Sequence, residues 1–448
     1  MLIRYIPFHH YRLRAAIFSL TLSSISAVCL TPSALAQDDI YAPELLVSQG
    51  RYNAPLPQAE ARPMRFSEVE ANLRQHPSLD ALNLSADAYR HRAEAALGLP
   101  DPVISLQINN VPFINPSFSE YLPSNKAIGV RQAFPSRSGR KANSLLSLRN
   151  AAQHELKREQ QFARLRGDLL MLLIEERSID GQRDYALARQ TKYDELADII
   201  DIEINAGRPI VFRLAQVDVE RTEVSRTLAR LDGQESEIEA AFVNLLGFIP
   251  QTDLPDLSKT VWTGQALRFY GVRVADAQVA IADAEVQRAK ADYKPDWGAN
   301  LTYQQRESSQ GLPRSNFDGD DWVSGGISFT IPLWARDRQD PNLRAAKIDK
   351  NASLARRMAI ARRFQSEWSR YDAKRETAVQ NISILKQKIS AIEAQTASEL
   401  ISYEAGMGDY SPILDGEIAV LMLRAEIVKE EATRDQMVVA MNSLLVTP

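Results

Sequence analysis

"KPDWGANLTYQQRE", residues 294–307, alternates between two kinds of side chain. Trp297, Ala299, Leu301 and Tyr303 fall on one side of an extended chain, and Gly298, Asn300, Thr302 and Gln304 on the other. That two-residue period predicts a β-strand with one apolar and one polar face. A long charged stretch with helical spacing precedes it, and another follows. The fold turns on why a mostly helical chain places a short two-faced strand between helices.

Three further segments carry the same pattern. In residues 103–111, Ile104, Leu106 and Ile108 alternate with Ser105, Gln107 and Asn109; in 127–134, Ile128, Val130 and Phe134 share a face opposite Gly129 and Arg131. In 322–334, Val323, Ile327, Phe329 and Ile331 oppose Ser324, Ser328 and Thr330. Two hairpins, 103–134 and 297–334, are therefore expected. Amphipathic strands near ten residues long are the unit of a transmembrane β-barrel, and Phe134, Trp297, Trp322 and Trp334 near strand ends suit aromatic girdles at its interfaces. A soluble sheet covering a core is the competing reading. Four strands cannot close a barrel, and an open edge cannot face lipid because each unpaired peptide group costs several kcal/mol there. If the strands span a membrane, several chains contribute them. Ser105, Gln107, Asn300, Thr302 and Ser328 then line a water-filled lumen.

The hairpins interrupt very long helices. No proline occurs between Pro135 and Pro209 or between Pro341 and Pro412, and a helix filling such a window reaches on the order of 100 Å. Phe162, Leu165, Leu169 and Leu172 step by coiled-coil spacing, as do Ile382, Leu385, Ile389 and Ile392. Each window ends in Ala-Gly, at Gly207 and Gly406, which fits a left-handed helix terminus before the chain turns back. A compact domain has no room for such helices, so they form an elongated bundle or barrel.

The chain also repeats itself. "LPDPVISLQINN" (99–110) resembles "KPDWGANLTYQQ" (294–305), "GVRQAFP" (129–135) resembles "GISFTIP" (326–332), and "NAGRPIVFRL" (205–214) resembles "EAGMGDYSPI" (404–413). The spacing of roughly two hundred residues and the shared order indicate one duplicated unit. The expected plan is a first repeat over 65–255, with a first helix at 65–97 and long helices within 137–247. The second repeat, 256–448, has a leading helix and long helices within 342–446. An extended leader, 37–64, precedes both.

Arg4, Arg12 and Arg14 before an apolar run, with "ALA" at Ala34 to Ala36, read as a secretory signal peptide over 1–36. Cys29 is the only cysteine among 448 residues and lies in that run, in a poor lipobox context, so neither disulfides nor thiolate metal sites are expected in the mature chain. The net charge of −4 offers no basic field for nucleic acid. Nothing after Gln37 is apolar for long enough to be a membrane-spanning helix.

With "LRQHPSL" (73–79), "LPDP" after the first helix, "KPDW" before the third strand, "FTIPLW" closing the fourth and the paired Ala-Gly turns, the chain resembles the TolC family of outer-membrane efflux channels over roughly 65–445. "KPDW" and the overall spacing most resemble members paired with heavy-metal exporters. The resemblance implies a mainly α fold with a transmembrane β-hairpin pair, assembled as a homotrimer. A twelve-stranded outer-membrane β-barrel would continue into a long periplasmic α-helical barrel. It also implies a periplasmic adaptor and an inner-membrane pump of the resistance-nodulation-division type as partners, and no cofactor. Gly207, Arg208, Gly406 and Met407 become the tips that meet the adaptor. In the family, the turn of the second repeat forms the constricted end of the tunnel, held by a Tyr and Asp side chains. Aligned on Gly406, Tyr403 and Asp415 match, Asp409 is a further candidate within the turn, and Gly408 and Pro412 depart from the pattern.

No nucleophile motif or phosphate loop points to an enzyme. His76, His91 and His154 are far apart in sequence and lack Cys partners, so no metal site is expected. "NFDGDDW" (316–322) lacks the spacing of an EF-hand and reads as an extracellular loop. The expected function is a passive export duct for small toxic solutes, heavy-metal cations among them. A duct for drug efflux or type I protein secretion shares the fold, and a periplasmic coiled-coil adaptor is the alternative of another class.

Overall fold

Prolines set the lengths of the helices. The computed structural model describes residues 60–121, 123–207, 209–307 and 319–446, all within one unit of the chain. Its two longest helices, α3 (Arg137–Asn205) and α6 (Gln339–Glu404), run 69 and 66 residues through the proline-free windows. Helix α6 starts a little before the expected position and takes Pro341 into its first turn, where a missing N–H removes no helical hydrogen bond. The shorter partners are α4 (Val211–Leu246) and α7 (Ser411–Leu444), with Pro412 again in the first turn.

The first helix, expected to run unbroken over 65–97, is instead two: α1 (Phe66–Leu73) and α2 (Pro77–Ala95). Pro77 holds His76 in an extended conformation at φ −61, ψ 134. His76 becomes the N-cap of α2, its Nδ1 accepting the Ser78 N–H at 3.2 Å. Partial burial lowers the His76 pKa, which keeps the ring neutral and the cap in place. The leading helix of the second repeat is α5 (Tyr270–Ala291). Ahead of it, the Thr260 N–H donates to Asn442 Oδ1, and Asn442 Nδ2 donates to the Ser258 carbonyl, each at 2.8 Å. Lys259 reaches Asp372 at 2.7 Å. This strap ties the junction between the repeats to α6 and α7.

Among the described residues, six strands form two sheets. β1 (Ala61–Pro63), in the segment read as leader, pairs in parallel with β4 (Ile249–Gln251). The other sheet has the order β2 (Val103–Asn109), β3 (Asn125–Phe134), β5 (Asp296–Gln305) and β6 (Trp322–Thr330), antiparallel throughout. The two hairpins thus join edge to edge through β3 and β5. β2 stops at Asn109, before Asn110 turns to φ 56. β6 stops at Thr330, so Ile331 and Trp334 lie beyond the strand.

Helix α3 packs on α2, α4, α5 and α7, and α6 packs on α5 and α7. Leu165 and Leu169 are buried, with Phe162 and Leu172 packed against their cluster; Ile382 and Ile389 repeat the pattern in α6. Helix α4 contributes Val217, Val224, Leu231 and Ile238, all buried and seven residues apart, the spacing of a coiled-coil seam. Each such residue contributes roughly 1.5–3 kcal/mol of apolar burial. Gly271 of α5 lies so close to α6 that a Cβ there would come within 2.1 Å of the Phe364 ring.

Candidate functional site

Cross-strand register assigns every side chain of the four-stranded sheet to a face. One row runs Ile104, Val130, Leu301, Gly325, and the next Leu106, Ile128, Tyr303, Val323. Between them lies Ser105, Gly129, Thr302, Ser324. One face is therefore mainly apolar, interrupted by Gln132 and by Lys126 and Gln305 at one end, and the other mainly small or polar; all five lumen candidates share the polar face. Asn300 stands beside Arg131 and Gly326, Ser328 beside Gly298, and Gln107 beside Ala127. The apolar side chains are exposed: Leu106 at 80 %, Ile108 and Ile327 at more than 65 %. No helix of this chain covers them among the described residues. A contiguous apolar face of this kind marks a lipid or protein contact.

The ends of the sheet refine the aromatic girdle. Phe134, Trp297 and Phe329 form one row on the apolar face, and the Phe134 and Trp297 rings stack at 4.1 Å and 14°. Trp322 does not join them. It pairs with Gln304, so it belongs to the polar face, where the Arg306 guanidinium lies 3.9 Å from its ring centre. Asp296, from "KPDW", accepts the Ser136 N–H at 2.6 Å, and Ser136 in turn caps α3 through Gly139 at 3.2 Å. The second repeat thereby fixes the point where the first repeat passes from strand to long helix. Of "NFDGDDW", residues 316–318 lie outside the described residues.

The two turns sit at the ends of α3 and α6, with Gly207 at φ 87 and Gly406 at φ 73, the left-handed region that favours glycine. Met407 is 81 % exposed, and Asp409 lies exposed in the same turn. Arg208, the fourth tip candidate, lies outside the described residues. Asp415, in the first turns of α7, accepts a hydrogen bond from Arg213 at the start of α4, 3.1 Å away. Tyr403 instead meets Tyr410 edge-on, centroids 5.2 Å apart. Asp415 is thus bonded to an arginine of the other repeat and not to Tyr403. Farther along α3, Lys192 bridges Glu195 at 2.8 Å and Glu417 at 3.0 Å, a second tie between the repeats.

A third electrostatic feature lies midway along the α3–α4 seam. Arg183 binds Asp180 at 3.3 Å, Asp232 at 3.2 Å and Glu235 at 2.5 Å. Glu176, two turns earlier on α3, has no such cation. Its pKa is pushed up to about 7 by burial first, then by Asp180, Glu235 and Glu239. Sequence reading missed this cluster because its members come from two helices. Among the described residues no group of His, Cys, Asp and Glu is arranged to hold a metal ion, and no helix is long and apolar enough to cross a membrane.

The site thus combines a four-stranded sheet with one bare apolar face and one polar face, two edges unpaired among the described residues, and helices of 66 and 69 residues. Residues 271–446 match the family model "Outer membrane efflux protein". Among solved structures, the fold is similar to that of CusC, at TM-score 0.69 and 15% identity over 85% of this chain and 92% of that one. VceC of Vibrio cholerae gives TM-score 0.66 and 14% identity over 84% and 94% of the two chains. The open MtrE channel of Neisseria gonorrhoeae gives 0.66 and 16% over 85% and 88%. A comparison with curated proteins finds no match. Residues 271–446 therefore carry a match to the outer membrane efflux protein family, and the fold of the chain is that of these TolC-like channels.

Proposed function

We propose that this protein is the passive outer-membrane duct of a tripartite efflux assembly, conducting small toxic solutes from the periplasm to the exterior. The observation that carries this reading is the sheet: four strands, one mainly apolar face, one mainly polar face and two edges, β2 and β6, without a strand partner among the described residues. Three copies give a closed barrel of about twelve strands, within the range that outer-membrane barrels use. The apolar rows face lipid, the polar rows face water, and the long helices extend the lumen into the periplasm. The turns at Gly207, Arg208, Gly406 and Met407 meet a periplasmic adaptor, which couples the duct to an inner-membrane pump of the resistance-nodulation-division type. Tyr403, Asp409 and Asp415 belong to the constriction at that end.

The test is thiol accessibility in the assembled protein. Cysteines at Asn300, Thr302 and Ser328 should react with a membrane-impermeant reagent, and cysteines at Leu301, Ile327 and Phe329 should not. Equal labelling of the two sets would overturn the barrel.

A further inference from the structure

Within the four strands the chain places three formally charged side chains: Lys126, Arg131 and Asp296. Two of them sit at strand ends and are engaged. Lys126, on the apolar face in line with Ile108 and Gln305, pairs with Glu307 at 2.6 Å. Asp296, at the opposite end, spends a carboxylate oxygen on the Ser136 N–H. Arg131 differs on both counts. It stands inside β3, in a row with Val103, Asn300 and Gly326 on the polar face. It is exposed and makes no ion pair among the described residues.

Its surroundings leave the guanidinium free to extend. On the same face, Gly129 and Ala133 flank it along β3, and Gly298 and Gly326 occupy neighbouring strands. The rest of that face is Val103, Ala127, Ser, Asn, Gln and Thr, with Trp322 at one end and Asp296, bonded to the Ser136 N–H, at the other. An arginine keeps its charge at any working pH.

We infer that Arg131 is a specificity-determining residue of the duct: repeated by each copy, it forms a ring of positive charge inside the barrel that favours anionic solutes over bare cations. The inference rests on the proposed assembly, with the polar face toward the lumen, and deepens it by naming a cargo class. Rings of like charge set the sign of ion preference in pores. At ionic strengths of about 0.1 M the Debye length is about 10 Å, so a few guanidinium groups dominate a narrow lumen that holds no other fixed charge at their level. A metal cation would then cross the barrel best within an anionic complex.

Reversal potentials of the full-length protein in planar bilayers under a KCl gradient test this. Arg131→Gln should lower the chloride-over-potassium permeability ratio by roughly three- to tenfold at about 0.1 M salt. Arg131→Glu should lower it further, and Arg131→Lys should keep it. Arg131→Cys should lose the preference and regain it on reaction with a cationic thiol reagent, a readout independent of how well each variant assembles. Lys126→Gln, altering a cation of the apolar face, should leave the ratio where it was. Open channels whose reversal potential is the same in Arg131→Gln and Arg131→Glu as in the parent would overturn the inference while leaving the duct intact. A parent protein that forms no channel would overturn the duct itself.

Discussion

Arg213 and Asp415, 202 residues apart in sequence, meet at 3.1 Å where α4 and α7 leave their turns. The bond joins the first repeat to the second at the end of the molecule assigned to the constriction. Both side chains are partly exposed, so the pair contributes about 0.2–1 kcal/mol to stability, and its main effect is on geometry. Arg213→Ala and Asp415→Ala should therefore raise single-channel conductance to similar extents, and the double variant should add little to either. Tyr403→Phe should leave Asp415 untouched, because Tyr403 packs on Tyr410. Additive effects of the two charge-removing changes would show that the residues act separately.

A lysine at position 301 should be costly and a lysine at 302 should not. Leu301 lies on the apolar face and Thr302 on the polar one. In a membrane barrel the first change costs roughly 2–4 kcal/mol near the midplane, read as loss of the heat-resistant assembled form on gels. Thr302→Lys should assemble normally and alter conductance.

Stability should fall as pH rises from about 4.5 to about 7. Glu176 binds its proton more tightly in the folded chain than its ordinary value of 4.5 allows, holding it up to about 7. The stabilisation is complete below the unfolded value and is lost as pH passes through the folded one. Thermal unfolding should give a higher Tm at pH 5 than at pH 8, and Glu176→Gln should narrow that difference. A parent and a Glu176→Gln variant with parallel pH profiles would remove Glu176 from the account.

Two glycine-to-alanine changes should have opposite signs. At Gly271 the new methyl would strike the Phe364 ring, and overpacking of that kind costs about 1–3 kcal/mol. At Gly233, inside α4, nothing lies within 4 Å of the added carbon, and alanine should stabilise the helix by roughly 0.5–1 kcal/mol. Chemical denaturation of the two variants distinguishes them directly.

Gly406→Val should weaken crosslinking to an adaptor without affecting barrel assembly. A φ of 73 at Gly406 is a conformation that costs a side-chain-bearing residue roughly 1–2 kcal/mol, so the turn must rearrange. Unchanged crosslinking would place the contact elsewhere.

What could be read in the sequence was what is locally encoded. The two-residue alternation of 297–304, the proline-free windows and the Ala-Gly turns each depend on a few adjacent residues, and the corresponding strands, helices and positive φ values are present. Pro77 was visible within "LRQHPSL" and marks the break between α1 and α2. The heptad of Val217, Val224, Leu231 and Ile238 was equally visible. Pairings were not. The parallel match of Ala61–Pro63 with Ile249–Gln251, the Arg213–Asp415 bond and the carboxylates around Glu176 join segments whose local patterns carry no sign of each other. Trp322 shows the limit most sharply: its residue type suits a lipid interface, but register alone decides its face, and register places it opposite Gln304.

The unpaired edges of β2 and β6 have a consequence for how the molecule comes into being. A lone copy exposes two rows of backbone donors and acceptors beside a bare apolar face, which is a template for pairing with any strand it meets. Only neighbouring copies in correct register satisfy both edges at once. In the proposed assembly, folding of the sheet and formation of the oligomer are thus a single event of high order in concentration, and a lone copy is at its most vulnerable in the interval before its neighbours arrive.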